Sequence, residues 1–369
     1  MSKGLDHEVK NMIESTLLRF IDESYEHSIR HERLKNGPPD CLLNWRKLVE
    51  LGLLALPFEE HYEGMGASEV DVTEIIEVLA KGLIFEPFIE SVLIAGSVLA
   101  RGENDSEVRF EIEKLLSGRE VPVIIGGREG DRNKLICNQI SNGYSLSGEL
   151  SLIQYAEEAT VWFLVAYAHD GIPIIFKVNK NQINCQINSY RLMDSRPAAD
   201  LRFHNIEISN SSIWLQGESA NRCLKEISSK AISAYCSEAI GLMKFLLNLT
   251  GDYLKTRIQF GVPISTFQAL QHRYADMHIS YLESRAISRE FASSLMINLA
   301  EERQEWLKYA AGLVVTKSSS LIGHEAIQMH GGMGVTDELI VSHCNARLVV
   351  LTRLIKTWAN QSIPLHSEM

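Results

Sequence analysis

Apolar residues recur every three or four positions over most of the chain, which predicts a largely helical protein. In the first third they mark helices at 6–34, 45–53, 70–81, 89–100 and 108–116. Residues 1–120 are therefore expected to form an N-terminal α-helical domain.

The pattern changes at Val121, where short runs rich in β-branched and aromatic residues begin. These runs are 121–126, 144–153, 161–168, 172–178, 183–189 and 201–208. Asn-Gly and Asp-Gly turn signals separate several of them, which indicates hairpins. Val161, Phe163 and Val165 alternate with other residues and are expected on one strand face. The sequence predicts a small antiparallel β-domain over 121–215.

Helical periodicity returns at Glu218 and continues almost to the end of the chain. It predicts four long helices at 219–256, 266–298, 302–329 and 337–360. Four such helices are typical of a C-terminal four-helix bundle, here over 216–369. The expected fold class is mainly α with a central β-domain.

The stretch 256–271, TRIQFGVPISTFQALQ, interrupts two of these helices. Gly261 and Pro263 end the first helix, and Ser265 or Thr266 is expected to cap the next. The residues gathered at this corner are Arg257, Gln259, Phe260 and Gln268. A cation, an aromatic ring and two amides suit a phosphate-bearing ligand. The alternative is a surface turn with an unpaired arginine.

A second interruption, 325–338, reads EAIQMHGGMGVTDE. Gly331, Gly332 and Gly334 let backbone N–H groups approach a pyrophosphate closely. Thr336 with Asp337 is expected to cap the following helix, whose N-terminus favours anions. The alternative is a helix C-cap followed by an ordinary turn.

Charge and cysteine content exclude several classes of protein. The 369 residues carry a net charge of −11 and contain no basic run, which argues against a nucleic-acid partner. The six cysteines are far apart and form no CxxC or Cys/His cluster, so neither a metal site nor a disulfide framework is expected. The polar start and the absence of a long apolar run predict a cytoplasmic protein without membrane insertion.

The sequence resembles the acyl-CoA dehydrogenase family in two motifs and in the order of its domains. The motifs are RIQFGVPISTFQALQHR at 257–273 and QMHGGMGVTDE at 328–338. Weaker similarities are WRKLVELGLLALP at 45–57, FEP at 85–87 and LMDSRPAADLRFHNIEI at 192–208. The resemblance covers almost the whole chain.

This resemblance implies FAD as the cofactor, an acyl-CoA as the substrate and an electron-transfer flavoprotein as the electron acceptor. In the family a carboxylate takes the α-proton while the β-hydrogen leaves as hydride to the flavin. By the resemblance, the residues that contact the adenine half of FAD are Arg257, Gln259, Phe260, Gln268, Gln328, Gly331 and Gly332. In the family these groups reach across a subunit interface to the FAD held by a neighbouring chain.

Both positions that hold the base in the family lack an acid here. One position falls within 348–355, LVVLTRLI, and the other is Ala231. The flavin-ring contacts also depart from the family pattern. The family's Glu-Pro-Gly-x-Gly-Ser-Asp loop is replaced by GGREGDRNK at 126–134, and the strand that covers the flavin reads LSLIQY at 150–155.

Glu238 is the remaining candidate for a catalytic base. It falls on the apolar stripe of the first bundle helix, two turns after Ala231, where burial would raise its pKa. The alternative, which we favour, is a buried acid paired with an arginine or histidine of a neighbouring helix, for instance His272 or Arg273.

These observations lead to one hypothesis and two alternatives. The hypothesis is a subunit of a hetero-oligomeric acyl-CoA dehydrogenase, of the kind known in the family for bulky substrates such as sterol-derived acids. In it the chain contributes the adenine half of the FAD site, while a second acyl-CoA dehydrogenase subunit supplies the flavin-ring half and the base. The alternatives are a homo-oligomer with Glu238 as an atypical base and a flavin-free structural or binding protein.

Overall fold

The computed structural model of the chain describes residues 4–35, 39–297 and 299–359. The N-terminal helices are α1 (His7–Ser24), α2 (His27–Lys35), α3 (Trp45–Glu50), α4 (Glu69–Leu79), a π-helix (Phe88–Ala95), α5 (Gly96–Leu99) and α6 (Asp105–Leu116). The single helix expected over 6–34 is broken at Tyr25, where the backbone leaves the helical region (φ −135°, ψ 18°). The side chain of Tyr25 is buried, and its hydroxyl donates to the Glu86 carboxylate.

A mixed sheet follows these helices. Its strands are β1 (Pro122–Ile125), β2 (Leu135–Ile140), β3 (Gly143–Gln154), β4 (Val161–Tyr167), β5 (Pro173–Asn179), β6 (Gln186–Arg191), β7 (Pro197–Ser209) and β8 (Ile213–Gln216). The strand order is β6-β7-β3-β2-β4-β5-β8, and β1 also pairs with β4.

The expectation of a wholly antiparallel sheet is wrong along one edge of β4, where the pairing is parallel. β5 pairs along one edge of β4, while β1 and then β2 pair with β4 in parallel. The two strands follow each other in one direction because residues 126–134 leave the sheet and return without reversing the chain. This excursion, which we call the 126–134 loop, lies at the end of the β-domain that faces the bundle.

Both faces of β4 are buried, whereas the alternation of its residues predicted only one defined face. Val161, Phe163 and Val165 pack with the helices, in the larger of two apolar cores. Trp162 and Leu164 pack within the sheet, in the smaller core. The sheet is therefore covered on one side by helices and on the other by its own strands.

The C-terminal helices are α7 (Gly217–Thr256), α8 (Gln268–Ser294), α9 (Glu301–His330) and α10 (Ile340–Trp358). α7 packs against the other three and also against α4. Gly241 permits the α4 contact, because a Cβ atom there would lie 2.3 Å from the carbonyl oxygen of Glu77. Among the described residues, no helix has the length and apolar character needed to cross a membrane.

Candidate functional site

The corner after α7 is a small β-hairpin. Residues Ile258–Gln259 pair with Val262–Pro263, and the two residues between them, Phe260 and Gly261, have φ values of 54° and 81°. Two successive positive φ angles are typical of a type I′ turn. The expected cap at Ser265 or Thr266 is wrong, because α8 begins without a side-chain cap.

All four residues predicted at this corner are exposed: Arg257, Gln259, Phe260 and Gln268. Phe260 is 91% exposed, and its ring meets that of Phe267 edge-on, with centroids 6.1 Å apart. The Arg257 guanidinium makes no hydrogen bond or ion pair to any described residue. The corner therefore presents a cation, an aromatic face and amides outward.

The glycine-rich loop lies directly after α9. Gln328, Gly331 and Gly332 are exposed, and a Cβ atom at either glycine would meet no other atom within 4 Å. This backbone is open to close approach by a ligand. The expected cap by Thr336 and Asp337 is wrong, because α10 begins only at Ile340.

One aromatic contact joins the two predicted stretches. Tyr253, one turn before Arg257, stacks on His330 with ring centroids 4.4 Å apart. Its hydroxyl also donates to the carbonyl oxygen of His330, at 3.5 Å. His330 precedes Gly331, so the hairpin corner and the glycine loop lie together at one end of the bundle.

The two segments that the resemblance assigns to the flavin ring meet at Arg128, in the 126–134 loop. Arg128 is 8% exposed, and its guanidinium donates to the carbonyl oxygens of Ser151 and Leu152, at 2.7 Å each. Its Nε donates to Asp131 Oδ1 at 2.7 Å. The strand is bulged at this point, with Leu152 at φ 60°, so that consecutive carbonyls turn toward one cation.

Further contacts attach the same loop to three bundle helices. Glu129 Oε1 accepts from Ser228 Oγ of α7 at 2.8 Å and from Lys308 Nζ of α9 at 2.9 Å. The backbone N–H of Gly130 donates to the carbonyl oxygen of Thr357, in α10, at 2.8 Å. The 126–134 loop thus closes the junction between the sheet and the bundle.

The space left at this junction is a cavity of about 30 Å³. It is lined by Glu90, Ile94, Val123, Ile124, Arg128, Ile153, Gln154, Tyr235, Leu354 and Trp358. Roughly one or two water molecules fit such a volume. Gln154 Nε2, among its polar atoms, is buried without a hydrogen-bond partner. Burial raises the pKa of Glu90, a carboxylate that sequence reasoning missed, against the opposing charges of Arg347 and Arg196.

Glu238 lies in a buried ion cluster and not in an open site. Arg347 donates to both of its carboxylate oxygens, at 2.8 and 2.6 Å, and Arg196 donates to Oε1 at 3.0 Å. Burial alone would raise the pKa of Glu238, but the charges of Arg196 and Arg347 lower it to about 2. The prediction that the pKa of Glu238 is raised, as a base would need, is therefore wrong, because the carboxylate has two cations as neighbours.

The favoured alternative for Glu238, a buried acid paired with arginine, agrees with these contacts, but the suggested partners were wrong. Arg273 pairs with Glu325 at 2.6 Å. The actual partners come from α10 and from the turn before β7. A second acid, Asp194, also accepts from Arg347, at 2.9 Å. The sequence signal for Arg347 is a lone arginine on the apolar stripe of α10, beside Cys344, Leu348 and Leu351.

The ion cluster also borders a second small cavity, of about 20 Å³, between the π-helix, α4 and α7. Glu86, Glu90, Arg196 and Glu238 are its charged lining residues. The other lining residues are apolar: Ile76, Leu79, Ala80, Ile84, Phe88 and Ile89. A cavity of about 20 Å³ holds roughly one water molecule, so it has no room for an acyl chain.

Comparison with known proteins places the chain in a family. Residues 7–110 match the N-terminal domain of acyl-CoA dehydrogenases, and residues 233–354 match their C-terminal domain. The chain belongs to the acyl-CoA dehydrogenase family. The resemblance expected from the sequence is confirmed, and so is the fold class.

Two sequence relatives illustrate the distance within the family. The acyl-CoA dehydrogenase FadE27 of Mycobacterium tuberculosis is 24% identical over 79% of this chain and 78% of its own length. The human mitochondrial short-chain specific acyl-CoA dehydrogenase is 22% identical over 80% of this chain and 74% of its own length.

Two solved structures share the fold of this chain. One is the ChsE4-ChsE5 complex of Mycobacterium tuberculosis, with a TM-score of 0.86 and 20% identity over 97% of this chain and 96% of the other. The second is a glutaryl-coenzyme A dehydrogenase with glutaryl-CoA, with a TM-score of 0.82 and 18% identity over 99% and 98% of the two chains.

Proposed function

We propose that this chain is a subunit of a hetero-oligomeric FAD-dependent acyl-CoA dehydrogenase. It contributes contacts to the adenine half of FAD, and a second chain supplies the flavin-ring half and the base. The observation that carries the proposal is the contrast between the two halves of the cofactor site in one chain: the adenine-half residues are exposed, while the flavin-ring segments close on Arg128.

The flavin-ring half does not fit FAD within this chain. A tricyclic ring needs far more room than the 30 Å³ cavity, and Arg128 and the Glu129 contacts close the approach to it. Neither position at which the family holds its base carries an acid, since one is Ala231 and the 348–355 segment contains no Asp or Glu. The ion-paired Glu238 stays charged and already has both oxygens bonded, so it is a poor proton acceptor.

The adenine half does fit a phosphate-bearing cofactor held by another chain. Arg257 offers a charged donor to the diphosphate, and Gly331 and Gly332 offer accessible backbone. Gln259, Gln268 and Gln328 add amide donors, and Phe260 offers a ring face for stacking. FAD, when bound, supplies the hydride acceptor of the dehydrogenation, and this chain positions one end of it.

The proposal is tested by the flavin content of the chain alone and of the chain with its partner. Expressed singly, the chain is expected to be colourless and unable to reduce a dye with any acyl-CoA, because a missing base alone costs about 10² to 10⁴ in rate. Copurified with its partner from the native host, it is expected to yield roughly one FAD for every two chains, by absorbance and protein quantitation.

Three other results would replace this proposal. About one FAD per chain, with turnover that Glu238→Gln abolishes, would establish the homo-oligomeric enzyme. A single chain that carries FAD and turns over acyl-CoA despite Glu238→Gln would leave the base to another group. A chain that copurifies without flavin or a second dehydrogenase subunit would favour a structural or binding protein.

The proposal also requires an assembly, because the adenine-half residues act only beside another chain. We expect at least a dimer and most often four subunits, with obligate interfaces of over roughly 2,000 Å². Exposed apolar residues on two bundle helices, Ile279, Leu282, Leu313 and Leu321, provide such a surface. Leu282→Glu is expected to lower the mass measured by light scattering, since it places a charge in that interface.

Met12→Glu is the matched control for this prediction. Met12 is also an exposed apolar residue, but it lies on α1, far in sequence from the bundle. Wild-type protein that is a monodisperse monomer at micromolar concentration would contradict the prediction. Equal masses for Leu282→Glu and wild type would contradict it as well.

A further inference from the structure

Arg128 lies where one strand of the sheet is interrupted. β1 and β2 would form one continuous strand along β4 if the 126–134 loop did not leave the sheet between them. The loop carries the arginine inward, so that an almost fully buried guanidinium is held by two carbonyls and one carboxylate. A buried cation is expensive unless it is paired, and here Asp131 supplies the pairing charge.

The guanidinium also forms one wall of the 30 Å³ cavity, opposite polar groups that it does not satisfy. Gln154 Nε2 has no partner, and Tyr235 donates to Glu90 at 3.2 Å across the same space. An unpaired buried amide beside a small cavity is rare in a well-packed interior. A water molecule in the cavity would satisfy this amide, and the side chain of Arg128 limits the polar space from one side.

The bulge at Leu152 is held from both sides. Arg128 binds the carbonyl oxygens of Ser151 and Leu152, and the backbone N–H of Leu152 donates to Asp200 Oδ1 at 3.2 Å. A non-glycine residue at φ 60° costs free energy and persists only where its surroundings hold it. Arg128 therefore holds the shape of the strand as well as forming one wall of the cavity.

We propose that Arg128 is a plug: its guanidinium closes one side of the 30 Å³ cavity and holds together the two segments that the resemblance assigns to the flavin ring, 126–134 and 150–155. The significance of the plug rests on the proposed function, in which this chain leaves the flavin ring to its partner. The site vacated by the side chain has the chemistry to bind a free planar cation, because the two carbonyls and Asp131 remain.

Arg128→Ala tests the plug, and Arg132→Ala is its matched control. Arg132 lies in the same loop but is exposed. In hydrogen–deuterium exchange, Arg128→Ala is expected to speed exchange in 126–134 and 150–155 by about tenfold or more, because one lost hydrogen bond from a charged donor has roughly that effect on local opening. Arg132→Ala is expected to leave these segments unchanged.

Chemical rescue distinguishes a specific cavity from general loosening. Low-millimolar guanidinium is expected to raise the Tm of Arg128→Ala and to restore slow exchange, because a ligand that binds only the folded state stabilises it. Urea has the same shape without the charge for Asp131, and it is expected to give no rescue. Neither compound is expected to raise the Tm of wild type or Arg132→Ala.

Arg128→Lys keeps the test informative if the alanine variant does not fold. Lysine keeps the charge toward Asp131 but cannot serve both carbonyls in a planar fork, so it is expected to give intermediate exchange rates. Equal exchange for wild type, Arg128→Lys and Arg132→Ala would overturn the plug, as would equal responses of Arg128→Ala to guanidinium and urea.

The outcomes for the plug and for the proposed function are separable. The plug alone is rejected if guanidinium does not rescue Arg128→Ala, if Arg128→Ala exchanges no faster than Arg132→Ala, and if the wild-type chain is colourless. About one FAD per wild-type chain rejects both, since the cavity would then be open without any substitution.

Discussion

Glu238→Gln is expected to lower the free energy of unfolding by about 3–5 kcal/mol, the usual cost of removing one partner from a buried ion pair. The substitution leaves Arg347, which is 1% exposed, and Arg196 with Asp194 as their remaining ion-pair partner among the described residues. Thermal and urea denaturation at fixed protein concentration measure the loss. The variant thus separates a structural role for Glu238 from the catalytic role considered for it.

Two further variants control this prediction. Glu325→Gln removes an arginine–glutamate pair whose side chains are 40% and 24% exposed, and a loss of about 0–1 kcal/mol is expected. Glu238→Leu combined with Arg347→Met removes one acid and one arginine of the cluster, which leaves Arg196 to pair with Asp194, and is expected to recover most of the stability. A glutamine variant as stable as wild type would contradict the cluster's importance, and so would a double variant less stable than the single one.

The difference in stability between wild type and Glu238→Gln is also expected to depend on pH. Because the pKa of Glu238 is lowered in the folded state to about 2, its stabilisation is complete above its ordinary pKa of 4.5 and disappears as the pH falls toward 2. The difference in stability between wild type and Glu238→Gln is therefore expected to shrink over this interval. A difference that stays constant from pH 6 to the acid limit of folding would contradict the lowered pKa.

Arg257→Ala is expected to weaken FAD binding by the assembled complex about ten- to hundredfold. One hydrogen bond to a charged group contributes about 1.5–3 kcal/mol, and Arg257 is the charged donor in the proposed adenine half-site. Folding is expected to be unaffected, since the side chain is exposed and bonds to no described residue. Fluorimetric FAD titration of wild-type and variant complexes measures the change.

Lys255→Ala is the matched control for Arg257. Lys255 is an exposed cation two residues away, and its ion pair with Asp252 is long, at 3.6 Å. Its removal lowers the local positive charge equally but removes no predicted cofactor contact. Equal affinities of the Arg257→Ala and wild-type complexes would remove Arg257 from the site, and equal losses for both variants would reduce its role to general electrostatics.

The pattern along the chain was sufficient for the main architecture. Helical periodicity placed the four bundle helices near their observed bounds because each buries one stripe against its neighbours. The hairpin corner and the glycine loop were also located from sequence, because glycines with positive φ and breaks in periodicity are local signals. Helix capping was less predictable, since neither expected cap forms.

The central sheet was predicted less completely. A parallel pairing of β1 and β2 with β4 depends on where the chain returns after 126–134, and no local residue pattern records that path. The double-sided burial of β4 likewise depends on the helices that pack on it from far along the chain.

By itself, the sequence determined the family, the helical and strand regions, the positions of the hairpin corner and the glycine loop, and the absence of an acid at Ala231 and within 348–355. These are properties of neighbouring residues and their spacing. Only the tertiary structure decided the partners of Arg128 and Glu238. Arg128 reaches backbone more than 20 residues away, and Glu238 meets an arginine 109 residues later in the chain. Such pairings arise from the packing of distant segments, where burial forces charged groups to find partners.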